Sequence, residues 1–514
     1  MRKSTSILTH FKSKMNFWVS LRSTSPSSRT MPFCPNQPDP YFRNLVHSHN
    51  RKALPSFLNS RRFASTTAQS PSTLNPIHAD EKEPDVGVVH GSFLVFVRDE
   101  TRIATLGERE RETVEMLKSK VIDFPGGAVK FIPEMRFISE SPQERIPCYR
   151  VLDDNGQPIL GHNFVQINEE VAVKMYTDMV TLRTMDTIFY EAQRQGRISF
   201  YVTTIGEEAI NVASAAALAM DDAVFPQYRE AGVLLWRGFT LQEFANQCFS
   251  NKYDNGKGRQ MPAHYGSYKH NYFTVASTVA TQVSHAVGAA YSLKMDKRDA
   301  CAVTYFGDGG SSEGDFHAAL NFAAVMEAPV IFICRNNGWA ISTPISDQFR
   351  SDGVVVKGQA YGVRSIRVDG NDALAIYSAV QAARQMAVTE ERPILIEALT
   401  YRVGHHTTSD DSTKYRPANE IEWWRMTRDP VAKFRKWLER NGWWNDMAES
   451  ELMNSVRRQL LHTIQVAESV EKPILGDIFS DVYDVPPSNL REQEQWLKET
   501  VKRHSQEYPA NISV

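Results

Sequence analysis

The sequence predicts an α/β protein: a mainly parallel sheet with helices on both faces, followed by a helical extension. Three observations carry that prediction. Short apolar runs alternate with longer helix-like segments from residue 171 to 399. The runs at 301–306 and 330–334 are almost continuously apolar, as strands covered on both faces must be. Each ends abruptly in glycine or polar residues, Gly-Asp-Gly-Gly after the first and Arg-Asn-Asn-Gly after the second. That alternation is the signature of βαβ units.

The elements follow in order. Asp153-Asp-Asn-Gly-Gln157 carries a hairpin signal. Residues 171–195 have the spacing of a long amphipathic helix. Residues 207–220 form a second helix, in which Ala213 and Ala215 to Ala217 allow close packing against a neighbour. A short strand is expected at 223–225, before Gln227-Tyr-Arg-Glu. A helix rich in Ala and Gly is expected at 282–295. The unit 301–306, 316–326, 330–334 reads strand, helix, strand. A strand at 365–368, a helix at 373–388 and a strand at 393–399 complete the alternation. From 418 to 504 the chain turns helical and charged, with tryptophans at 423, 424, 437, 443 and 444.

Composition narrows the function classes. With 514 residues, 42% apolar and 10% aromatic, the chain has material for a large core and extensions. A net charge of −2 makes no case for a nucleic-acid or acidic-membrane partner. No apolar run approaches the roughly 18 residues of a membrane span. The five cysteines are scattered and show no metal spacing, which fits a reducing compartment. Residues 1–79 hold eleven Lys and Arg against one acid, Asp39, with many Ser and Thr, the pattern of an organelle transit peptide. The expected division is 1–79 transit segment, 80–147 N-terminal arm, 148–417 α/β domain and 418–514 helical region. Within the arm, 91–97 reads as a strand, 107–120 as a charged helix and 124–147 as a Pro-rich irregular segment packing on another chain. The stretch 87–121 has no assigned role.

Asp308 and Asn337 each follow a strand, where open α/β sheets bind ligands. Mg²⁺ takes six oxygens in near-octahedral geometry and shares its ligands with substrate phosphates. Asp308 offers a carboxylate, Asn337 an amide oxygen that adds no charge, and Trp339 a backbone carbonyl. Gly309 and Gly310 leave the backbone open to phosphate oxygens. A helix expected to start near Ser311 would aim its free N–H groups at the same point. A metal-bound diphosphate is the ligand this chemistry suits.

The segment resembles the thiamin diphosphate motif, Gly-Asp-Gly followed by Asn-Asn. The resemblance continues through Arg194 to Tyr201, Gln227 to Gly232, Gly256 to Pro262, Ser365 to Asp372 and Gly404 to Ser412. Over about residues 123–505 the chain is similar to the alpha subunits of branched-chain 2-oxo acid dehydrogenase. That resemblance implies the thiamin diphosphate-binding fold and oxidative decarboxylation of branched-chain 2-oxo acids. The acyl group passes to lipoyl on an acyltransferase component. It also implies a beta subunit, in an assembly of two alpha and two beta chains, whose glutamate activates the cofactor ring, and a mitochondrial matrix location. The related pyruvate dehydrogenase alpha subunit shares the metal motif, and a non-catalytic scaffold is the alternative of another class.

Residue roles come from the same resemblance. Tyr228, Arg229, Ser277, Val279, Arg335 and His406 would contact thiamin diphosphate, with His406 facing the active site as the catalytic residue. A near-neutral imidazole there suits hydrogen bonding to phosphate or proton transfer. Phe200 is a candidate wall of the substrate pocket. Thr281 and Gln282 would ligate K⁺, although Ala276 removes one side-chain ligand by replacing a serine. The loop 407–415 matches a regulatory segment. Thr407 stands where animal relatives have a phosphorylated serine, and Pro417 stands at their second site. The acidic pair Asp410-Asp411 is expected to meet Arg402 or Arg416.

Overall fold

The computed structural model describes residues 144–159 and 164–508, together with Met135 and four short strands between 87 and 130. The expected transit segment and the helix expected at 107–120 lie outside the described residues. The chain divides into two compact units, Met1–Phe131 and Ile132–Val514. In the first, β1 (Gly87–Val89) pairs antiparallel with β2 (Ser92–Leu94). Likewise β3 (Val121–Phe124) pairs with β4 (Gly127–Lys130). The stretch read as irregular from 124 thus begins with a strand pair.

The second unit is built on five parallel strands. They are β5 (Ala223–Phe225), β6 (Ala302–Gly307), β7 (Val330–Asn336), β10 (Arg364–Asp369) and β11 (Ile394–Leu399), in the order β10-β11-β7-β6-β5. A small antiparallel pair, β8 (Trp339–Ala340) and β9 (Thr343–Pro344), follows β7. Strand pleating sorts the core. Val303, Tyr305, Ile331, Ile333, Ile394 and Ile396 join the cluster on one face. Their neighbours Ala302, Phe306, Val330, Phe332, Cys334 and Leu395 join the cluster on the other. That is the period of two expected when both faces are covered. The first face carries the helices Glu169–Arg194, Glu208–Ala216 and Ala373–Thr389, and the second carries Thr281–Met295 and Gly314–Met326.

Local chemistry sets the element ends. Asn168 caps Glu169–Arg194 by accepting from Val171 N. Asp372 caps Ala373–Thr389 by accepting from Leu374 N and Ala375 N. Its other oxygen accepts from Val151 N and Leu152 N, which ties the 153–157 turn region to the sheet. The helix expected near Ser311 begins at Gly314, because a 3₁₀ turn over Asp308–Ser312 comes first. Gly206 has φ +99°, and a Cβ there would lie 2.4 Å from the Tyr401 carbonyl oxygen. Only glycine lets the 203–206 segment approach the chain leaving β11 so closely. The C-terminal helices pack in the same unit: Val456, Leu460 and Ile464 of Asp446–Ser469 are buried in the first cluster. Trp424 stacks on Tyr401 with ring centroids 5.0 Å apart.

One buried acid makes the fold sensitive to pH. Asp186 accepts hydrogen bonds from Tyr201 OH at 2.9 Å and from Thr204 Oγ1 at 2.6 Å, and burial pushes its carboxyl up to about 7. An unfolded Asp titrates near 3.9, so between roughly pH 4 and pH 7 the native chain holds a proton that the unfolded chain has lost. Its stabilising contribution is full below that window and lost as pH rises through it. Denaturant midpoints should therefore fall with pH more steeply for the wild type than for Asp186→Asn. Parallel pH profiles of the two proteins would contradict this.

Candidate active site

The carboxyl ends of four strands converge on one cavity of about 410 Å³. Gln227, Tyr228 and Arg229 follow β5, Asp308 follows β6, Asn337 follows β7, and Arg402 and His406 follow β11. The register Gly307↔Arg335 between β6 and β7 brings the two strand ends level, with Asp308 one residue beyond Gly307 and Asn337 two beyond Arg335. Ser277 and Val279 close one side, and Phe200 lies on the wall with Trp339, Gly309 and Gly310.

The cation side has oxygen donors. Asp308 is buried, and burial raises its carboxyl above the usual range. One of its oxygens accepts from Gln348 Nε2 at 2.6 Å. Asn337 spends its Nδ2 on Glu207 at 2.7 Å and accepts from Trp339 N at 3.2 Å, so Oδ1 is its outward atom. The Trp339 carbonyl also accepts from Arg402 Nη1 at 3.2 Å, which leaves one lone pair for any cation. Among the described residues no group of three or more His, Cys, Asp or Glu could hold a metal. A donor set of one carboxylate, one amide and a carbonyl suits a hard cation that shares ligands with phosphates. Gly309 meets the protein itself at close range, since a Cβ there would lie 2.7 Å from Ala340 Cβ.

The anion side differs from expectation. Arg229, expected to contact the cofactor, donates Nη1 to the Thr203 carbonyl and Nη2 to the His406 carbonyl, the latter at 2.6 Å. Arg335 is not a free charge either: Nη1 donates to Glu207 at 2.7 Å and Nε pairs with Glu230. Arg402, read only as a loop partner, lies buried on the cavity wall with its Nε unpartnered. Among the described residues neither Arg229 nor Arg402 has a carboxylate within ion-pair distance. Burying guanidinium charge without a counter-charge is costly, and a bound anion supplies one.

His406 departs most from expectation. Burial, then Arg229 and Arg402, push its imidazole down to about 3 against the opposing pull of Asp410. Its Nδ1 lies 3.2 Å from Arg229 Nη2 and 3.4 Å from Arg402 Nη1, and both of these are donors. Nδ1 therefore accepts, and the neutral ring carries its proton on Nε2. The ring serves as a hydrogen-bond donor, not a group poised to titrate near neutrality. Asp410 accepts from His406 N at 2.8 Å and Tyr415 OH at 2.6 Å, and Asp411 accepts from Thr413. The acidic pair thus bonds within its own loop and does not meet Arg402 or Arg416 directly. Arg416 instead donates to the Arg402 and Gly404 carbonyls.

Thr281 and Gln282 are not on the cavity wall. They begin the helix Thr281–Met295, where Gln282 Nε2 donates to the Tyr305 carbonyl at 2.8 Å and Oε1 is buried without a partner. Sequence reasoning also missed Glu207, Glu230, His264 and Gln348. His264 Nε2 lies 2.7 Å from Ser277 Oγ. The adjacent acids Glu207-Glu208 before an Ala-rich segment were the one local signal, since charges in small apolar surroundings need partners.

The Dehydrogenase E1 component family matches residues 176–475. The mitochondrial 2-oxoisovalerate dehydrogenase subunit alpha 2 of Arabidopsis thaliana is 73% identical over 393 residues, covering 76% of this chain and 83% of the relative. Subunit alpha 1 from the same plant is 65% identical over 81% of this chain and 88% of its own length. The mouse alpha subunit is 47% identical over 83% of this chain and 97% of its own length. The described strands, the converging cavity and these matches agree: the chain belongs to the thiamin diphosphate-dependent dehydrogenase E1 component family, among the 2-oxoisovalerate dehydrogenase alpha subunits.

Proposed function

We propose that the cavity holds Mg²⁺ and the diphosphate of thiamin diphosphate, in the decarboxylating component of a mitochondrial matrix branched-chain 2-oxo acid dehydrogenase. The observation that carries this is the presence of both kinds of group on one cavity lining. Among the described residues Arg229 and Arg402 are buried without carboxylate partners, and they line the same cavity as the Asp308 carboxylate and the Asn337 amide. A divalent cation together with a diphosphate would satisfy the oxygen donors and the arginines at once. Held there, thiamin diphosphate would supply the carbanion and electron-sink chemistry that decarboxylation of a 2-oxo acid needs.

This chain's residues then have separate tasks. Asp308, Asn337 and the Trp339 carbonyl hold the cation. Arg229 and Arg402 neutralise phosphate oxygens, and Arg335, whose charge is taken up by Glu207 and Glu230, offers its remaining N–H groups to them. His406 donates from Nε2 into the cavity, and Phe200 shapes the pocket for a branched apolar side chain. Ser277 and Val279 contact the cofactor. The beta subunit of an assembly of two alpha and two beta chains completes the ring end, and the acyl group leaves on the lipoyl of the acyltransferase component. The orphan Gln282 Oε1, with Thr281, supports a K⁺ site behind the cofactor.

The test uses the alpha–beta assembly. Chelation followed by desalting should lower CO₂ release from 2-oxoisovalerate by at least about a hundred-fold, and added Mg²⁺ should restore it. Calorimetry should show thiamin diphosphate binding only with Mg²⁺ present. Undiminished turnover in chelator, or equal turnover by the isolated alpha chain, would sink this reading.

A further inference from the structure

Glu207 touches two residues of the cavity lining, one a candidate cation ligand and one an arginine. It is fully buried, just before the helix Glu208–Ala216. One oxygen accepts from Asn337 Nδ2 at 2.7 Å and the other from Arg335 Nη1 at 2.7 Å. An asparagine amide is nearly symmetric in shape but not in chemistry, since one end donates and the other accepts. A carboxylate paired with a guanidinium can only accept. Asn337 must therefore turn its nitrogen towards Glu207, which leaves Oδ1 to the cavity. Were the amide reversed, a nitrogen would face the cation, and its N–H groups would repel it. The same carboxylate fixes the plane of Arg335, whose Nε is held by Glu230.

We infer that Glu207 is a positioning residue that sets both halves of the site: it makes Asn337 an oxygen ligand and holds Arg335 against the diphosphate. This rests on the cofactor reading above. Residues that orient metal ligands from behind typically change metal affinity ten- to a hundred-fold when replaced.

The experiment uses the alpha–beta assembly with saturating thiamin diphosphate, Mn²⁺ as the probe followed by electron paramagnetic resonance, and inorganic diphosphate titrated separately by calorimetry. Glu207→Gln should weaken Mn²⁺ binding by about ten-fold or more and weaken diphosphate binding as well. The swap Glu207→Gln with Asn337→Asp rebuilds the hydrogen bond with reversed polarity and again offers an oxygen. It should recover Mn²⁺ affinity while diphosphate binding stays weak, a split that general loosening of the fold would not produce. Wild-type Mn²⁺ affinity in Glu207→Gln overturns the inference, as does a folded swap variant without recovery. Should Glu207→Gln fail to assemble, Glu207→Asp keeps the charge but cannot reach Asn337, and unchanged Mn²⁺ affinity there overturns it too. A wild-type assembly that binds no Mn²⁺ overturns the cofactor reading itself, which separates the two failures.

Discussion

Arg335→Ala is expected to cost about 3–5 kcal/mol of stability, the usual effect of breaking a buried ion pair by removing one partner. The loss falls at the upper end, because two carboxylates are stranded. Glu207 and Glu230 are both fully buried and both pair with this guanidinium. Burial raises the Glu230 carboxyl even with Arg335 present, while at Glu207 Arg335 and Arg229 outweigh burial and hold it below its ordinary range. Since whole domains are stable by only about 5–15 kcal/mol, the variant should melt well below the wild type and assemble poorly. Scanning calorimetry of the assembly measures this. Replacing the whole cluster, Arg335→Met with Glu207→Gln and Glu230→Gln, should return most of the lost stability and none of the cofactor binding. An unchanged melting temperature for Arg335→Ala would show that the carboxylates find other partners.

Asp308→Ala should do the opposite. It removes the carboxylate proposed to hold the cation, so CO₂ release by the assembly is expected to fall about a thousand-fold, equivalent to about 4 kcal/mol of barrier. Its effect on folding should be small, because burial already disfavours this carboxylate. Only Gln348 loses a partner, and Gln348 is half-exposed. Single-turnover decarboxylation and a melting curve, taken together, decide the matter. A variant that loses stability but keeps turnover would reverse the roles of Asp308 and Arg335.

The contrast explains what was legible in the sequence. Strands β6 and β7 were visible because burial on both faces leaves them apolar, and Asp308 and Asn337 stand out as candidates because open α/β sheets bind ligands where strands stop. Strand β7 nevertheless runs two residues past its apolar stretch. Arg335 and Asn336 are polar yet buried, satisfied by Glu207, Glu230 and Glu397 from far along the chain. No local pattern announces those partners. The same limit hid the surroundings of His406. An imidazole on a polar loop reads as ordinary until two guanidinium groups from separate strand ends are brought against it. Arg229 was legible as a site residue, but not as one whose donors are shared with backbone carbonyls. The helix boundary near Ser311 was missed because the Asp308–Ser312 turn is tighter than an α-helix, a difference that composition does not encode.

The proposed cation ligands Asp308 and Asn337 follow neighbouring strands locked in register, Gly307 opposite Arg335. Occupying the site therefore staples the middle of the sheet, and the site has no separate melting point of its own. Ligand held at a hundred times its dissociation constant adds about 2.7 kcal/mol to the native state by mass action. The amount of folded protein should consequently track vitamin supply: starvation for thiamin would thin the population of the enzyme as well as idle it.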